Sequence, residues 1–340
     1  MKKTIAAAGI ASVVALFSAQ ANAASTLTYA SWVPWTHPIN VNLYIPWMNA
    51  IEKASKGEVK FRRLPKGIGH PRAYLDAVRT GQIDAGFSVH GYSPKRFAAY
   101  LFGEMPFLGD RAVASSVALQ RTHEKFFASK NYYPGTKLIG MNTHGPGLIH
   151  HSKKHIKSPA DMKGQKMRTG GPIPKRIVEA WGGVPIRQPA PKSYEILSTG
   201  IADGITFPYE SLVSFRILKL VPYSTYIPGG LYSSSHYLVM NQKMYDGLSA
   251  AGKKAVDQYS GQNFARMGGQ AWDKINDAGL AAAKKAGNKI ITAPKALVDA
   301  VKDLNKKFEA EYYKAAAAKG IDGKAVLKFY RAEVAKLQGK

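Results

Sequence analysis

A helix-like run that ends in Thr-Gly, with Asp three residues after the Gly and a short apolar stretch beyond it, occurs twice in this chain. The first copy is Val78-Arg79-Thr80-Gly81-Gln82-Ile83-Asp84-Ala85-Gly86-Phe87, and the second is Leu197-Ser198-Thr199-Gly200-Ile201-Ala202-Asp203-Gly204-Ile205-Thr206-Phe207. Gly just past a helix supplies a left-handed terminating residue, and the apolar residues that follow suit a buried strand. Two such helix–turn–strand units about 120 residues apart predict two similar α/β lobes, each the size of a domain. Two lobes imply a cleft, and clefts between domains are where small ligands bind. Ordinary turn chemistry also generates T-G-x-x-D by chance, so the surrounding chain has to decide.

The alternation around each copy supports the paired reading. Leu27–Ser31 reads as a strand, and Leu43, Trp47, Ile51 and Ala54 share one helical face that Gly57 closes. Val59–Leu64, a helix near Arg72–Arg79 and Asp84–Val89 complete a β-α-β-α-β order, followed by a strand at Lys137–Asn142. After His144-Gly145-Pro146-Gly147 the order restarts: strand Gln165–Arg168, helix Ile173–Trp181, strand Val184–Arg187, helix Ser193–Leu197, strand Gly204–Phe207. His236–Met240 would return the chain to the first sheet. From Ser249 to about Gly287 runs a long helical pattern with soft breaks at Gly261 and Gly268–Gly269, long enough to cross the back of both lobes. A strand at Lys289–Thr292 and two Lys- and Ala-rich helices end the chain. The expected class is α/β, with mixed, mostly parallel sheets, hinge strands and a long helix shared by both lobes. The expected division is 1–23 signal peptide, 24–145 plus 236–275 as lobe I, and 146–235 plus 276–340 as lobe II.

Lys2 and Lys3, the apolar run Ile5–Phe17 and Ala21-Asn22-Ala23 have the charged, apolar and small-x-small parts of a secretory signal peptide. The run is shorter than the roughly 20 residues a bilayer requires. The mature protein is expected to be exported, most simply to a bacterial periplasm. With no cysteine in the chain, disulfides, thiolate metal sites and Cys nucleophiles are excluded. The net charge of +26 invites a nucleic-acid reading. Against it, the lysines are scattered over Lys302–Lys307 and Lys319–Lys340 without a basic stripe interleaved with stacking aromatics. No nucleic-acid partner is expected; a basic surface would raise the on-rate of small anions, or serve solubility alone.

Catalytic signatures are missing: there is no G-x-S-x-G elbow, no H-E-x-x-H and no Walker loop. Gly67-Ile68-Gly69 and Gly145-Pro146-Gly147 lack the context of a dinucleotide site, so no cofactor is expected. His144, His150, His151 and His155 crowd together, but adjacent histidines on a strand point to opposite faces and no carboxylate is near in sequence; no metal site is expected. Ser158-Pro159-Ala160-Asp161-Met162-Lys163-Gly164-Gln165-Lys166-Met167-Arg168 is different. It reads as a short helix started by Pro159 and ended by Gly164, then a strand that delivers Arg168 at its C-terminal end, where open α/β sheets place ligands. Arginine's planar fork matches a carboxylate with two parallel hydrogen bonds, although an arginine at a strand end is more often a surface residue.

Taken together, the signal peptide, Gly81-Gln82-Ile83-Asp84, the Ser158–Arg168 run, Tyr194 ahead of Thr199-Gly200, and Asp203-Gly204 with Pro208 resemble a TRAP (tripartite ATP-independent periplasmic) transporter substrate-binding protein. The similarity runs from about Leu27 to Ser249. The resemblance implies a two-lobed periplasmic binding protein, not an enzyme, that closes around an organic acid whose carboxylate Arg168 holds. It implies delivery to integral-membrane TRAP permease subunits, and the receptor itself is expected to be a monomer. Many members carry Asp-Gly-Gln-Glu-Asn-Pro after the second Thr-Gly, with the Asn on ligand; here the stretch is Asp203-Gly204-Ile205-Thr206-Phe207-Pro208, so Phe207 replaces that contact. Some members carry a second arginine where this chain has Leu148. Both departures argue against a dicarboxylate or a sialic-acid-like ligand.

The resemblance places Trp32, His90, Tyr92, His144, Arg168 and Phe207 toward the ligand, with Trp35, Tyr209, Tyr232 and His236 close by in sequence. Aromatics with few polar tips and one arginine suit a flat or apolar monocarboxylate, favoured over an α-keto or hydroxy acid, a C4-dicarboxylate or a sulfonate. About half of these aromatics are expected to belong to the core instead. Two rivals from other classes are a secreted two-domain hydrolase or lyase, for which only the histidines offer candidates, and a basic scaffold with no small-molecule site.

Overall fold

The computed structural model describes residues 24–339. The signal-peptide expectation for 1–23 lies outside them. In chain order the strands are β1 (Ser25–Ala30), β2 (Val59–Arg63), β3 (Ala85–Val89), β4 (Thr136–Thr143), β5 (Leu148–His151) and β6 (Lys166–Thr169). They continue with β7 (Val184–Arg187), β8 (Gly204–Phe207), β9 (Tyr223–Tyr226), β10 (Ser235–Asn241) and β11 (Lys289–Thr292). One sheet has the order β2-β1-β3-β10-β4 and the other β11-β9-β5-β8-β6-β7. In the first, β1 runs parallel to β2 and β3, and β10 is antiparallel to β3 and β4. In the second, β6 runs parallel to β7 and β8, and β5 is antiparallel to β8 and β9.

The doubled motif builds the same unit in each sheet. Its helices, Tyr74–Arg79 and Ser193–Ser198, each follow a one-turn 3₁₀ segment. Gly81 (φ 76°) and Gly200 (φ 71°) take the left-handed position that only glycine adopts without steric cost. Thr80 Oγ1 donates to Asp76 O at 2.9 Å, and Thr199 Oγ1 to Glu195 O at 2.7 Å. The aspartates then pin the neighbouring parallel strand. Asp84 Oδ2 accepts from Thr28 N and Thr28 Oγ1, both at 2.7 Å, and Asp203 Oδ2 accepts from Lys166 N at 2.8 Å. The Asp is therefore a strand clamp, and the repeat is structural rather than ligand-directed.

The chain crosses from the first sheet to the second between β4 and β5 and returns between β9 and β10, before β11 joins the second sheet. The two crossing segments run side by side: Gly147 N donates to Tyr232 O at 2.8 Å, Leu231 N to Gly147 O at 3.0 Å, and Ser233 Oγ to His144 O at 3.1 Å. The helix Gly261–Lys285 packs on β4 of the first sheet and on the helix Tyr209–Ser214 of the second lobe. Its break falls at Ser260–Gly261, as Gly261 (φ 58°) requires, whereas Gly268 and Gly269 do not interrupt it. A Cβ at Gly269 would lie 2.4 Å from Val113 Cα, and one at Gly279 would lie 2.6 Å from the Glu210 backbone. Those glycines exist for close approach to the first and second lobes respectively.

The chain end departs from the expected division. β11 joins the second sheet, but the helices Lys295–Ala317 and Gly323–Leu337 pack against the first lobe's Ala98–Glu104 segment and its helix Ala112–Phe126. Tyr312 OH donates to Ala99 O at 3.2 Å, and Arg121 pairs with Glu333 at 2.7 Å. The apolar stripe of Leu297, Val301, Phe308, Tyr312, Val326 and Tyr330 is what these helices bury. Lysine on their outer faces conceals it in the composition. The short strands β5 and β9 and the helix Ala112–Phe126 were also not anticipated.

Candidate functional site

Between the sheets lies a cavity with about 550 Å³ of space unfilled by protein atoms, its open mouth included. Arg168 is its charged feature. It is the third residue of β6, flanked by Ile186 of β7 and Ile205 of β8. The side chain is 1% exposed. Nε donates to Gln188 O at 3.0 Å, the guanidinium carbon stands 4.3 Å from the centre of the Phe207 ring, and Nη1 is buried without a partner among the described residues. Burial lowers its pKa, and the groups that offset this are the Tyr92 and Tyr232 hydroxyls rather than a carboxylate. A guanidinium in this setting is a cation awaiting an anion.

The walls are aromatic. Phe207, at the end of β8, stacks on Phe215 with centroids 5.5 Å apart and planes at 12°. Trp32 follows β1 and packs 5.0 Å from Phe87 and 6.0 Å from Tyr92. Tyr232 comes from the crossing segment and donates from its hydroxyl to Thr206 O at 2.9 Å. His144, His236 and Trp272 form the base, with centroids 5.1–6.1 Å apart. Burial pushes His144 down to about 4, with its Nδ1 contact to Gly145 O opposing the shift. Burial likewise pushes His236 down to about 3, so both rings are neutral. Two contacts tie the lobes together beside the mouth: Arg187 Nη2 donates to Gly91 O at 3.1 Å, and Ala190 N donates to Tyr92 OH at 3.0 Å.

Seven of the ten residues expected at the ligand line this cavity: Arg168, Phe207, Trp32, Tyr92, His144, Tyr232 and His236. The other three do not. His90 sits in the core, with Nδ1 2.8 Å from Ser235 Oγ, Nε2 2.6 Å from Tyr133 OH and its face stacked on Tyr100. Phe87 and Val89 of β3 line the cavity, and strand alternation sends Ser88 and His90 to the opposite face. Trp35 is held at the sheet edge by its Nε1 bond to Leu64 O at 2.7 Å. Tyr209 is buried against His150, 5.8 Å away.

Four further cavity residues had no local signal. His37, Phe215 and Trp272 reach it through long-range packing, and Glu210 through the turn that Pro208 starts. Burial pushes the Glu210 carboxyl up to about 7, partly offset by hydrogen bonds from Ser211 and Ser214. The other crowded histidines have structural bonds. His150 contacts Ser224 Oγ at 2.8 Å and Phe207 O at 3.0 Å, and His151 contacts Gln165 Oε1 at 2.9 Å. Leu148, opposite Phe207 in the β5–β8 register, is fully buried.

A family model described as bacterial extracellular solute-binding protein, family 7, matches residues 30–316. The chain is similar to a TRAP periplasmic solute-binding protein from Bordetella bronchiseptica with bound (R)- and (S)-mandelate, at 39% identity and a TM-score of 0.89, over 92% of this chain and 99% of that one. It is also similar to a TRAP solute-binding protein from Rhodoferax ferrireducens in complex with copurified benzoate, at 26% identity and a TM-score of 0.86, over 92% and 98% of the two chains. A sequence relative from Comamonas testosteroni, named outer membrane transporter protein TsaT, is 28% identical over 312 residues, 92% of each chain.

Proposed function

Because the chain belongs to family 7 of the bacterial extracellular solute-binding proteins, the solute receptors of TRAP transporters, we propose that it binds an aromatic monocarboxylate in the cavity between its lobes. The single observation behind this reading is Arg168, a buried guanidinium whose Nη1 has no partner among the described residues, in a largely aromatic chamber. A carboxylate there would complete the arginine's hydrogen bonding in a water-poor setting, worth about 1.5–3 kcal/mol for a charge-assisted bond. A ring beyond it would lie among Phe207, Phe215, Trp32 and Tyr232, each well-placed aromatic contact adding about 0.5–1.5 kcal/mol to simple burial. The ligands of the Bordetella and Rhodoferax proteins, mandelate and benzoate, have this chemistry.

In the same proposal the lobes close by rotation about the paired crossing segments at Gly147 and Leu231, with the Tyr92–Ala190 and Arg187–Gly91 contacts as part of the closed state. Residues 1–23 act as an export signal, receptors of this family are periplasmic, and the loaded receptor passes its ligand unchanged to a membrane permease. No helix among the described residues is long and apolar enough to cross a membrane. One guanidinium, with the Glu210 carboxyl elsewhere in the lining, favours a monoanion over a dicarboxylate. The test is calorimetric titration with benzoate, mandelate, succinate and galacturonate, alongside native mass spectrometry of the freshly purified protein. Micromolar or tighter binding confined to the two aromatic acids is expected. Binding of succinate alone, or of none of the four, would refute the assignment.

A further inference from the structure

His37 carries a further buried polar atom that lines the cavity without a partner among the described residues, as Arg168 Nη1 and Trp32 Nε1 do. His37 lies in the loop after β1, and its ring is 6% exposed. The loop is fixed by its own bonds: His37 N donates to Pro34 O at 2.8 Å, Asn40 N to His37 O at 2.9 Å, and Asn40 Nδ2 to Pro34 O at 2.9 Å. Ile39 N donates to His37 Nδ1 at 3.2 Å. That bond makes Nδ1 the acceptor and leaves the proton of the neutral ring on Nε2. Burial pushes the imidazole down to about 4, so the ring is neutral at physiological pH. Nε2–H is therefore an uncharged donor, on the ring edge away from the loop backbone, and it is buried without a partner among the described residues. An N–H left in that state is costly, so an acceptor arriving with the ligand would be strongly preferred.

His37 and Arg168 sit at opposite ends of one wall. The guanidinium lies 4.3 Å from Phe207, Phe207 stacks on Phe215 at 5.5 Å, and Phe215 meets His37 at 5.4 Å. With two rings between them, one carboxylate does not serve both donors. Glu210 belongs to the His37 end, since it also lines the adjoining recess with Pro38 and Asn42. Its oxygens accept from Ser211 Oγ and from Ser214 Oγ, the latter at 2.7 Å. A partly ionised carboxyl lining the same cavity as a neutral imidazole disfavours a second anion and suits a hydroxyl, which can accept from His37 and donate to Glu210.

We infer that the cavity selects aromatic acids that carry a ring hydroxyl remote from the carboxylate, with His37 Nε2–H donating to that hydroxyl oxygen, an inference that rests on the reading of Arg168 as the carboxylate anchor. His37 is then the residue that separates hydroxylated from plain aromatic acids.

The experiment is calorimetry with benzoate, 3-hydroxybenzoate, 4-hydroxybenzoate and terephthalate, on the full mature protein and on His37→Phe and His37→Gln. In the unmodified protein the better hydroxybenzoate is expected to bind about tenfold or more tightly than benzoate, as one satisfied buried donor implies. Terephthalate, with a second carboxylate in place of the hydroxyl, is expected to bind more weakly than either. In His37→Phe the hydroxybenzoate-to-benzoate ratio should fall to about threefold or less, and His37→Gln, which keeps a neutral N–H donor, should restore part of it. If His37→Phe does not fold, the ratios in the unmodified protein and in His37→Gln decide the matter. Equal affinity for benzoate and both hydroxybenzoates, tighter binding of terephthalate, or a preference that survives in His37→Phe each overturns the inference and leaves the Arg168 anchor standing. Failure of all four acids to bind the unmodified protein overturns the anchor reading and this inference with it.

Discussion

Replacing Arg168 with Met should abolish ligand binding while leaving the empty protein almost as stable as before, although the side chain is among the largest that are fully buried. The losses are the Nε bond to Gln188 O, about 1.5–3 kcal/mol for a charged donor, and the cation–π contact with Phe207, about 1–2 kcal/mol. Against them stands relief of a desolvated charge with an unpartnered Nη1, about 1–3 kcal/mol or more. Sulfur–aromatic contact between Met and Phe207 returns about 0.3–1.5 kcal/mol. The terms cancel to within about 1 kcal/mol, whereas truncation of an ordinary buried aliphatic side chain costs about 2–5 kcal/mol. At roughly 2–4 °C per kcal/mol, the melting temperature of the empty variant should lie within about 4 °C of the parent. A ligand at a hundredfold excess over Kd stabilises by about 2.7 kcal/mol, so the parent should gain roughly 5–10 °C with its aromatic acid and the variant nothing. Calorimetric melting of both proteins, with and without benzoate or mandelate, reads both quantities. A loss above about 3 kcal/mol in the empty variant would make Arg168 a structural residue, and a ligand shift that persists would place the carboxylate elsewhere.

Gly147→Ala places a Cβ 2.2 Å from Tyr232 Cε1, so the ring must leave the cavity wall; Kd should rise by about tenfold or more, and an unchanged Kd would remove Tyr232 from the site. Asp84→Ala should destabilise more than Asp203→Ala, since Asp84 accepts two strand bonds and Asp203 one; urea melts should show losses of about 1–3 kcal/mol with ligand affinity unaltered, and a selective loss of affinity would mean that the repeat is functional after all. Stability should reach its plateau near pH 7. Below that, unfolded-state imidazoles near 6.5 take up protons that His37, His123, His144 and His150, pushed by burial to about 4, and His236, pushed to about 3, do not accept, so stability falls as pH falls. The Glu104 and Glu210 carboxyls, raised by burial to about 7, act in the opposite sense and cost stability as pH rises from about 4.5 to 7. The histidines outnumber them, so urea midpoints should rise from pH 5 through 6.5 and level off near pH 7; a monotonic fall across that range would contradict the assigned burial.

The parts of this molecule legible in the sequence are those written in local chemistry. Thr80-Gly81 and Thr199-Gly200 end helices because only glycine takes that backbone cheaply, and Asp84 and Asp203 follow because each clamps the strand beside it. Gly164 and the strand after it fix where Arg168 emerges, while the family resemblance rather than the spacing is what singles it out. The errors arise where local rules end. The resemblance puts His90 toward the ligand, but a period of two sends it into the core while Phe87 and Val89 face the cavity. Phe215, His37 and Trp272 converge on that chamber from three distant segments, and no spacing in the chain connects them. The last two helices return to the first lobe because of an apolar stripe that their lysines conceal. The repeat therefore carries the scaffold, and its aspartates do the same work in both copies. What lines the cavity lies mostly outside the repeat: Arg168 on the second lobe and Trp32 and His37 on the first, with Phe207 at the end of the second copy.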